Sequence, residues 1–381
     1  MMWVALRMLV GDATKYLGLI FGISFATLLM TQQVSIFVGI LRRTGSQIVD
    51  VRDAAIWVMD PKTRFIDEAP GLSDTDLQRV RGVEGVAWAT RLYKGQVAAR
   101  LESGDYRAVV LFGLDDATLV GAPGEMVVGE LSDLNQPDAV FIDKSGYAYM
   151  WPGEPYRLGR EFQLNDRRAV LAGICQASAP FTTLPVIYTR FTNVRGYVPQ
   201  QRQLMNYVLA QPQQGESAQV VCDRIQAQTN LAALTKDQFF WKTIRYFLAT
   251  TGIPVNFGIT ITLGFLVGAA ITGQTFYLFT IENLKQFGAL KAMGVTNRRI
   301  LRMVMLQALV VGGIGYGIGI GLTAGFFEAT KNITHLAGLY LQPWAAVGVG
   351  VAVLVIILIA ALFASIRVLV LEPAVVFRGG G

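Results

Sequence analysis

An α-helical membrane protein with four transmembrane helices, plus a water-exposed α+β domain between the first and second, is the fold class this 381-residue sequence predicts. Two observations carry that expectation. Hydrophobic residues make up 52% of the chain and charged ones only 16%, and the mean hydropathy is positive, which lies outside the usual range of soluble globular chains. Four segments are each apolar over the roughly 20 residues that a helix needs to cross a bilayer with its backbone polar groups satisfied internally.

The first span runs from about Tyr16 to Leu41. Arg7 and Lys15 precede it as in a secretory signal, but the apolar run continues through Ile36, Phe37 and Val38, and no small-x-small site closes it, so the span reads as retained. The stretch from about Arg42 to Thr243 has ordinary charge density with scattered Pro and Gly, and is long enough to bury a core of its own.

Within that stretch a buried strand fits Ala54 to Met59, and Ser73-Asp74-Thr75-Asp76 opens a capped helix that ends near Gly82. Strands fit Val86 to Leu92, Gln96 to Leu101, Tyr106 to Gly113, Ala139 to Ile142, Ala169 to Ile174, Leu184 to Thr189 and Tyr207 to Ala210, followed by a helix over Glu216 to Gln228. The order is that of a split βαβ unit with a β-rich insertion. From Thr235, which can cap with Gln238, an aromatic-rich helix carrying Phe239, Phe240, Trp241, Tyr246 and Phe247 leads to the second span, as an interfacial belt or as a stalk. The predicted division is therefore 1–43, 44–243 and 244–381.

The remaining spans fall at about Ile253 to Thr280, Val304 to Phe327 and Trp344 to Ile366. Between the second and third lie Lys285, Lys291, Arg298, Arg299 and Arg302 against Glu282, whereas the next loop has only Lys331, opposed by Glu328, and a neutral His335. The excess of basic residues predicts that the former is cytoplasmic and that both termini, with Arg7, Lys15, Arg367 and Arg378, share its side. Arg42 and Arg43 are discordant, but long domains translocate largely regardless of such charges. The net charge of +6 then reflects topology, and no nucleic-acid partner is expected.

Gly313, Gly317, Gly321 and Gly325 recur at four-residue spacing on one face of the third span, with Gly315 and Gly319 in a second row, and Gly264 and Gly268 repeat the pattern in the second. Such rows let helix backbones approach closely, within one subunit or across a moving or dimer-forming face. Cys175 and Cys222 both fall in the large domain, where an oxidising compartment permits a disulfide and two buried thiols are the alternative.

Catalytic chemistry finds little footing. No Gly-Lys pair exists from which to build a phosphate-cradling P-loop, and a single histidine excludes paired-histidine zinc sites. Asp115, Asp116, Asp138 and Asp143 are unspaced and read as surface carboxylates, and no span carries a charge at mid-depth of the kind that marks a proton path. The chain is expected to be non-catalytic, with no cofactor and no metal of its own.

The most informative segment is 282–294. Leu284, Phe287, Leu290 and Met293 recur at helical spacing while Glu282, Lys285, Gln286 and Lys291 are polar, so it is an amphipathic helix for the membrane surface or for a partner's groove. The run Glu282-Asn-Leu-Lys-Gln-Phe-Gly-Ala-Leu-Lys-Ala-Met-Gly294 resembles the signature of MacB/FtsX-type ABC transporter permeases, with Phe287 standing where an aliphatic residue is usual. The ending Leu371-Glu-Pro-Ala-Val-Val-Phe-Arg378 is similar to the close of the DevC-like branch, in which the ATPase is a separate subunit.

The resemblance implies an exporter permease of the bacterial inner membrane that works by mechanotransmission, with a periplasmic α+β domain. Residues Glu282, Lys285, Gln286, Phe287, Leu290, Lys291, Met293 and Gly294 would couple to a separate cytoplasmic ABC ATPase dimer, which binds the ATP and Mg, and Phe239 to Phe247 would form the stalk. It further implies a second permease copy as a homodimer, a periplasmic membrane-fusion adaptor and a TolC-like outer-membrane channel. An FtsX-like regulator of a periplasmic partner and lipoprotein extraction of the LolC/LolE kind share the topology and remain as alternatives.

Overall fold

The computed structural model describes residues 13–199, 204–331, 333, 336 and 338–370. Arg7, His335 and the DevC-like ending lie outside them, as do the side chains of Lys15 and Arg367. The chain forms two compact units, one made by Gly39–Thr251 with a short later loop, the other gathering the long apolar helices.

Four helices among the described residues are long and apolar enough to cross a membrane. They are α1 (Ala13–Asp50), α7 (Ile253–Glu282), α9 (Asn297–Thr330) and α10 (Pro343–Val370). The first outruns its apolar stretch, and Gly45 near its end lies against the ring of Phe240, where a Cβ would stand 2.5 Å from a ring carbon. By contrast α7 starts sharply, with Pro254 in its first turn after Gly252, since proline fixes a helical φ and lacks the N–H that would go unbonded there.

In the helical unit α1 is a common partner of its neighbours. A Cβ at Gly264 would stand 3.3 Å from Met30, and one at Gly268 would stand 2.5 Å from that of Ala26. On α9, a Cβ at Gly315 would lie 2.8 Å from Ile23, and one at Gly319 would lie 2.5 Å from the Thr27 Cβ and 2.7 Å from the Ser24 carbonyl oxygen. These glycines remove the bulk that would hold the helices apart, which in lipid is the main source of association.

The insertion domain is α+β, as expected. Its first strand, β1 (Ile56–Met59), is followed by α2 (Asp74–Arg81), whose Ser73 and Asp76 form the predicted capping box. Next come β2 (Val86–Arg100) and β3 (Tyr106–Leu114), then β4 (Met126–Val128), β5 (Ala139–Asp143) and α3 (Lys144–Met150). Then follow β6 (Glu161–Leu164), β7 (Arg167–Cys175), β8 (Val186–Arg190) and α4 (Phe191–Tyr197). The domain closes with β9 (Tyr207–Pro212), α5 (Ala218–Thr229), β10 (Ala232–Thr235) and α6 (Lys236–Thr250). The strands join in one sheet, in the order β10-β1-β9-β2-β3-β8-β5-β7-β4, with β6 pairing both β2 and β7. Strands β10-β1-β9-β2, with α2 and α5 as crossovers, make the split βαβ unit, and β3 to β8 are its insertion.

Sequence reasoning divided β2 into two strands, but it is continuous. Gly95 sits within it, paired with Leu111, and the Tyr93 hydroxyl occupies the space its missing side chain leaves. The sheet is buried on both faces: Ile56 and Val58 enter one apolar cluster, covered by Leu77, Val80, Val221 and Ile225, while Trp57 and Met59 enter another with Ile48, Val51 and Phe239. The short elements β4, β6, β10, α3 and α4 were not anticipated, because they are too brief to show a hydrophobic period.

Candidate functional site: the helix between the second and third spans

Helix α8 (Leu284–Ala292) follows α7 with a one-residue break at Asn283, whose side-chain amide donates to the Phe279 carbonyl at 2.8 Å. Its other end is closed by Gly294 at φ +87°, a left-handed position, whose N–H donates to the Lys291 carbonyl at 2.9 Å, while Val295 N–H reaches Leu290 at 3.1 Å. Thr296 then caps the start of α9 in an extended conformation. The amphipathic helix of the sequence is therefore present and is stopped by its own glycine.

The side chains divide between two surfaces. Phe287 is fully buried within the apolar cluster of the helical unit, together with Ile300 and Val304 of α9, and Leu284 and Leu290 pack against the same cluster. Glu282, Lys285 and Gln286 are exposed, as are Arg298 and Arg299 beyond the turn, and Lys291 is half-buried. Met293 was expected on the apolar face but is 73% exposed, because the helix ends at Ala292 and the Gly294 turn carries it out of the row. Phe287 corrects the opposite expectation: it was grouped with partner-facing residues, yet it belongs to the protein's own core.

The glycine rows also separate. A Cβ at Gly313, Gly317, Gly321 or Gly325 would meet nothing within 4 Å, and Ile314, Ile318 and Leu322 beside them are exposed, so this row packs against nothing among the described residues. The packing row is Gly312, Gly315 and Gly319, with Gly312 set against Ile357. What distinguishes the two rows is the neighbour each meets: α1 at Gly315 and Gly319 and α10 at Gly312, against open space at the other row. Gly264 and Gly268 do pack within the chain.

The proposed stalk residues lie on α6, which opens with the predicted Thr235–Gln238 capping box. Phe239 is fully buried, with its ring 5.5 Å from Trp57 and 5.7 Å from Tyr207. Phe240 packs on Gly45 and on Trp241, which is exposed. Tyr246 stacks on Phe65 at 4.5 Å, and Phe247 meets Phe65 and Phe181 at 5.3 and 4.9 Å. The aromatics are thus spent mainly on fastening α6 to the insertion domain.

Of the two readings left open for the cysteines the structure has the buried thiols, and the surface reading of Asp143 is corrected. Cys175 and Cys222 are free, buried in different apolar clusters on opposite faces of the sheet, so the permitted disulfide is not formed. Burial pushes both thiols up, that of Cys222 to about 12. Asp143 is no surface carboxylate: it is buried, caps α3 through Gly146 N–H at 2.9 Å, and accepts from Val186 N–H at 2.7 Å. Desolvation raises its pKa, opposed by these hydrogen bonds and one from Ser145.

Residues 258–373, which include α8 and the glycine rows, match the family described as FtsX-like permease C-terminal. Over 373 residues, 95% of this chain and 93% of theirs, the chain is 27% identical to the uncharacterized ABC transporter permeases Rv0072 and MT0078 of Mycobacterium tuberculosis strains H37Rv and CDC 1551. It is 33% identical to the uncharacterized ABC transporter permease Mb2592 of Mycobacterium bovis over 117 residues, 30% of this chain and 31% of that one. Solved structures with some likeness are the extracellular domain of the ABC-type transporter YknZ from Gram-positive bacteria and the periplasmic region of MacB from Actinobacillus actinomycetemcomitans. The first covers 48% of this chain and 99% of that domain, with a TM-score of 0.37 and 14% identity. The second covers 54% and 96%, with 0.39 and 13%.

Four helices among the described residues are long and apolar enough to cross a membrane, the last three of them largely within the stretch that matches the FtsX-like permease C-terminal family. Along 95% of its length the chain is similar to proteins named ABC transporter permeases, and its C-terminal third resembles FtsX-like permeases.

Proposed function

We propose that this permease couples a separate cytoplasmic ABC ATPase dimer to movement of its insertion domain, and that it exports cargo by mechanotransmission without catalysis of its own. ATP and Mg are bound by the ATPase. The chain sits in a bacterial inner membrane with both termini and α8 in the cytoplasm and the insertion domain in the periplasm, where α6 serves as the stalk. A second copy pairs through the unused Gly313-Gly317-Gly321-Gly325 face, and a DevC-like membrane-fusion adaptor and TolC-like outer-membrane channel complete the route.

The observation that supports this reading most is the two-sidedness of α8. Its Phe287 is sunk in the span core while Lys285, Gln286 and Met293 are presented outward. A partner pressing on the outer face moves the helix, and Phe287 with its neighbours carries that displacement to α7 and α9. Packed interiors transmit strain in this way because they have little free volume to absorb it.

The test is co-purification in detergent with the candidate ATPase. Lys285→Glu combined with Met293→Asp is expected to abolish association while the permease stays folded. Phe287→Leu is expected to keep association and lower the stimulation of ATP hydrolysis by cargo. Full association of the double variant would overturn the assignment of α8.

A further inference from the structure

Strand β2 has a gap along one edge. Its partner β9 pairs with it as far as Leu92, and β6 takes up the same edge only from Ala99. Two asparagines close the ends of this gap. Asn206 donates its N–H to the Leu92 carbonyl at 3.1 Å and accepts from Lys94 N–H at 3.0 Å, and Asn165 donates to the Ala98 carbonyl at 2.8 Å and accepts from Ala98 N–H at 3.0 Å. Residues with even numbers therefore point their backbone groups into the gap. Between the asparagines, the Lys94 carbonyl and both the N–H and carbonyl of Gln96 have no partner among the described residues.

A cavity of about 740 Å³ opens at this gap, lined by Tyr93, Lys94, Gly95 and Gln96 on one side and by Asp67 to Gly71 and Leu204 on the other. The Lys94 side chain is only 4% exposed. Its ammonium carries three N–H donors, and Asp67 is its one acceptor among the described residues. Lys62 lines the same cavity, whereas Glu68 is already held by Arg64. With Asp67 opposing Lys94 and Arg64 holding Glu68, the charge left over in the cavity is the positive one of Lys62.

We propose that this cavity binds the C-terminal end of an extended peptide, which adds as a short strand to β2 beside Gln96 and places its carboxylate on Lys94 and Lys62. Unpaired main-chain groups in a sheet edge recognise the one thing all peptides share, and the ammonium groups select the free chain end. The cavity is within the roughly 300–1,000 Å³ of pockets that enclose small ligands, which suits a chain end better than the middle of a long segment. The site does not depend on the export reading, since it uses only groups of the insertion domain.

The test uses the full chain in detergent with tetra-alanine as the probe, in three forms: free acid, C-terminal amide, and backbone N-methylated acid. Site-resolved hydrogen exchange is expected to show the Gln96 amide exchanging freely alone and protected by the free acid. The C-terminal amide is expected to bind about tenfold more weakly, and the N-methylated form to give no protection. Lys94→Gln is expected to remove the preference for the free acid while β3 amides keep their native protection. No protection of Gln96 by saturating peptide, or equal protection by the N-methylated form, would overturn strand addition. Equal binding of acid and amide would overturn the carboxylate site.

Discussion

Gly319 of α9 and Thr27 of α1 approach so closely that a Cβ on the glycine would stand 2.5 Å from that of the threonine, with the Ser24 carbonyl oxygen at 2.7 Å. No side-chain rotation relieves a clash with a backbone oxygen. Gly319→Ala is therefore expected to push the two helices apart and destabilise the protein by about 1–3 kcal/mol. Gly317→Ala, facing open space, is expected to leave stability unchanged or slightly raised. Thermal unfolding of the two variants in the same detergent compares them directly, and equal losses would contradict the assignment of rows.

Phe287 and Met293 are six residues apart, yet the first is fully buried and the second is 73% exposed. Phe287→Ala is expected to cost about 3–5 kcal/mol through lost burial and a residual cavity. Met293→Ala is expected to shift stability by less than about 0.5 kcal/mol. Denaturation monitored by intrinsic fluorescence distinguishes them.

Cys175 and Cys222 are free, buried and raised in pKa, so each is present as an inert thiol at neutral pH. Neither is expected to react with a maleimide in the folded protein, and both are expected to react on denaturation. Reductant is expected to leave the unfolding temperature unchanged, and a reductant-dependent drop would reveal a bridge.

Lys94 has its pKa held below the ordinary 10.5 because burial outweighs the attraction of Asp67. Between the depressed value and 10.5 the unfolded chain binds more protons here than the folded one, so stability from this group rises with pH across that alkaline window. Lys94→Met is expected to remove the rise. Unfolding temperatures of parent and variant across alkaline pH give the slope difference, and parallel curves would show that the pair compensates burial fully.

Local signals were read from the sequence with little loss. Ser73 with Asp76 and Thr235 with Gln238 form the capping boxes their spacing announces. What was not legible depends on neighbours distant in the chain. Gly95 reads as a strand break until Leu111 is placed beside it, and the two glycine rows of α9 are equivalent until α1 presents Ser24 and Thr27 to one of them. Phe287 carries the apolar signal of a docking residue and of a core residue alike. Asp143 looks like any loop carboxylate until Val186 N–H arrives from a strand 43 residues away. The cavity beside Gln96 was missed for the same reason, since its walls come from four separated stretches of chain.

The domain between the first two spans begins and ends on adjacent strands: Ile56 of β1 lies opposite Thr235 of β10, and Lys236 N–H donates to the Ala55 carbonyl at 2.9 Å. Its entry and exit are thus tied together by the domain's own hydrogen bonds. A segment closed in this manner behaves genetically as a cassette, whose contents can be lengthened, trimmed or traded for another without moving the two cut points.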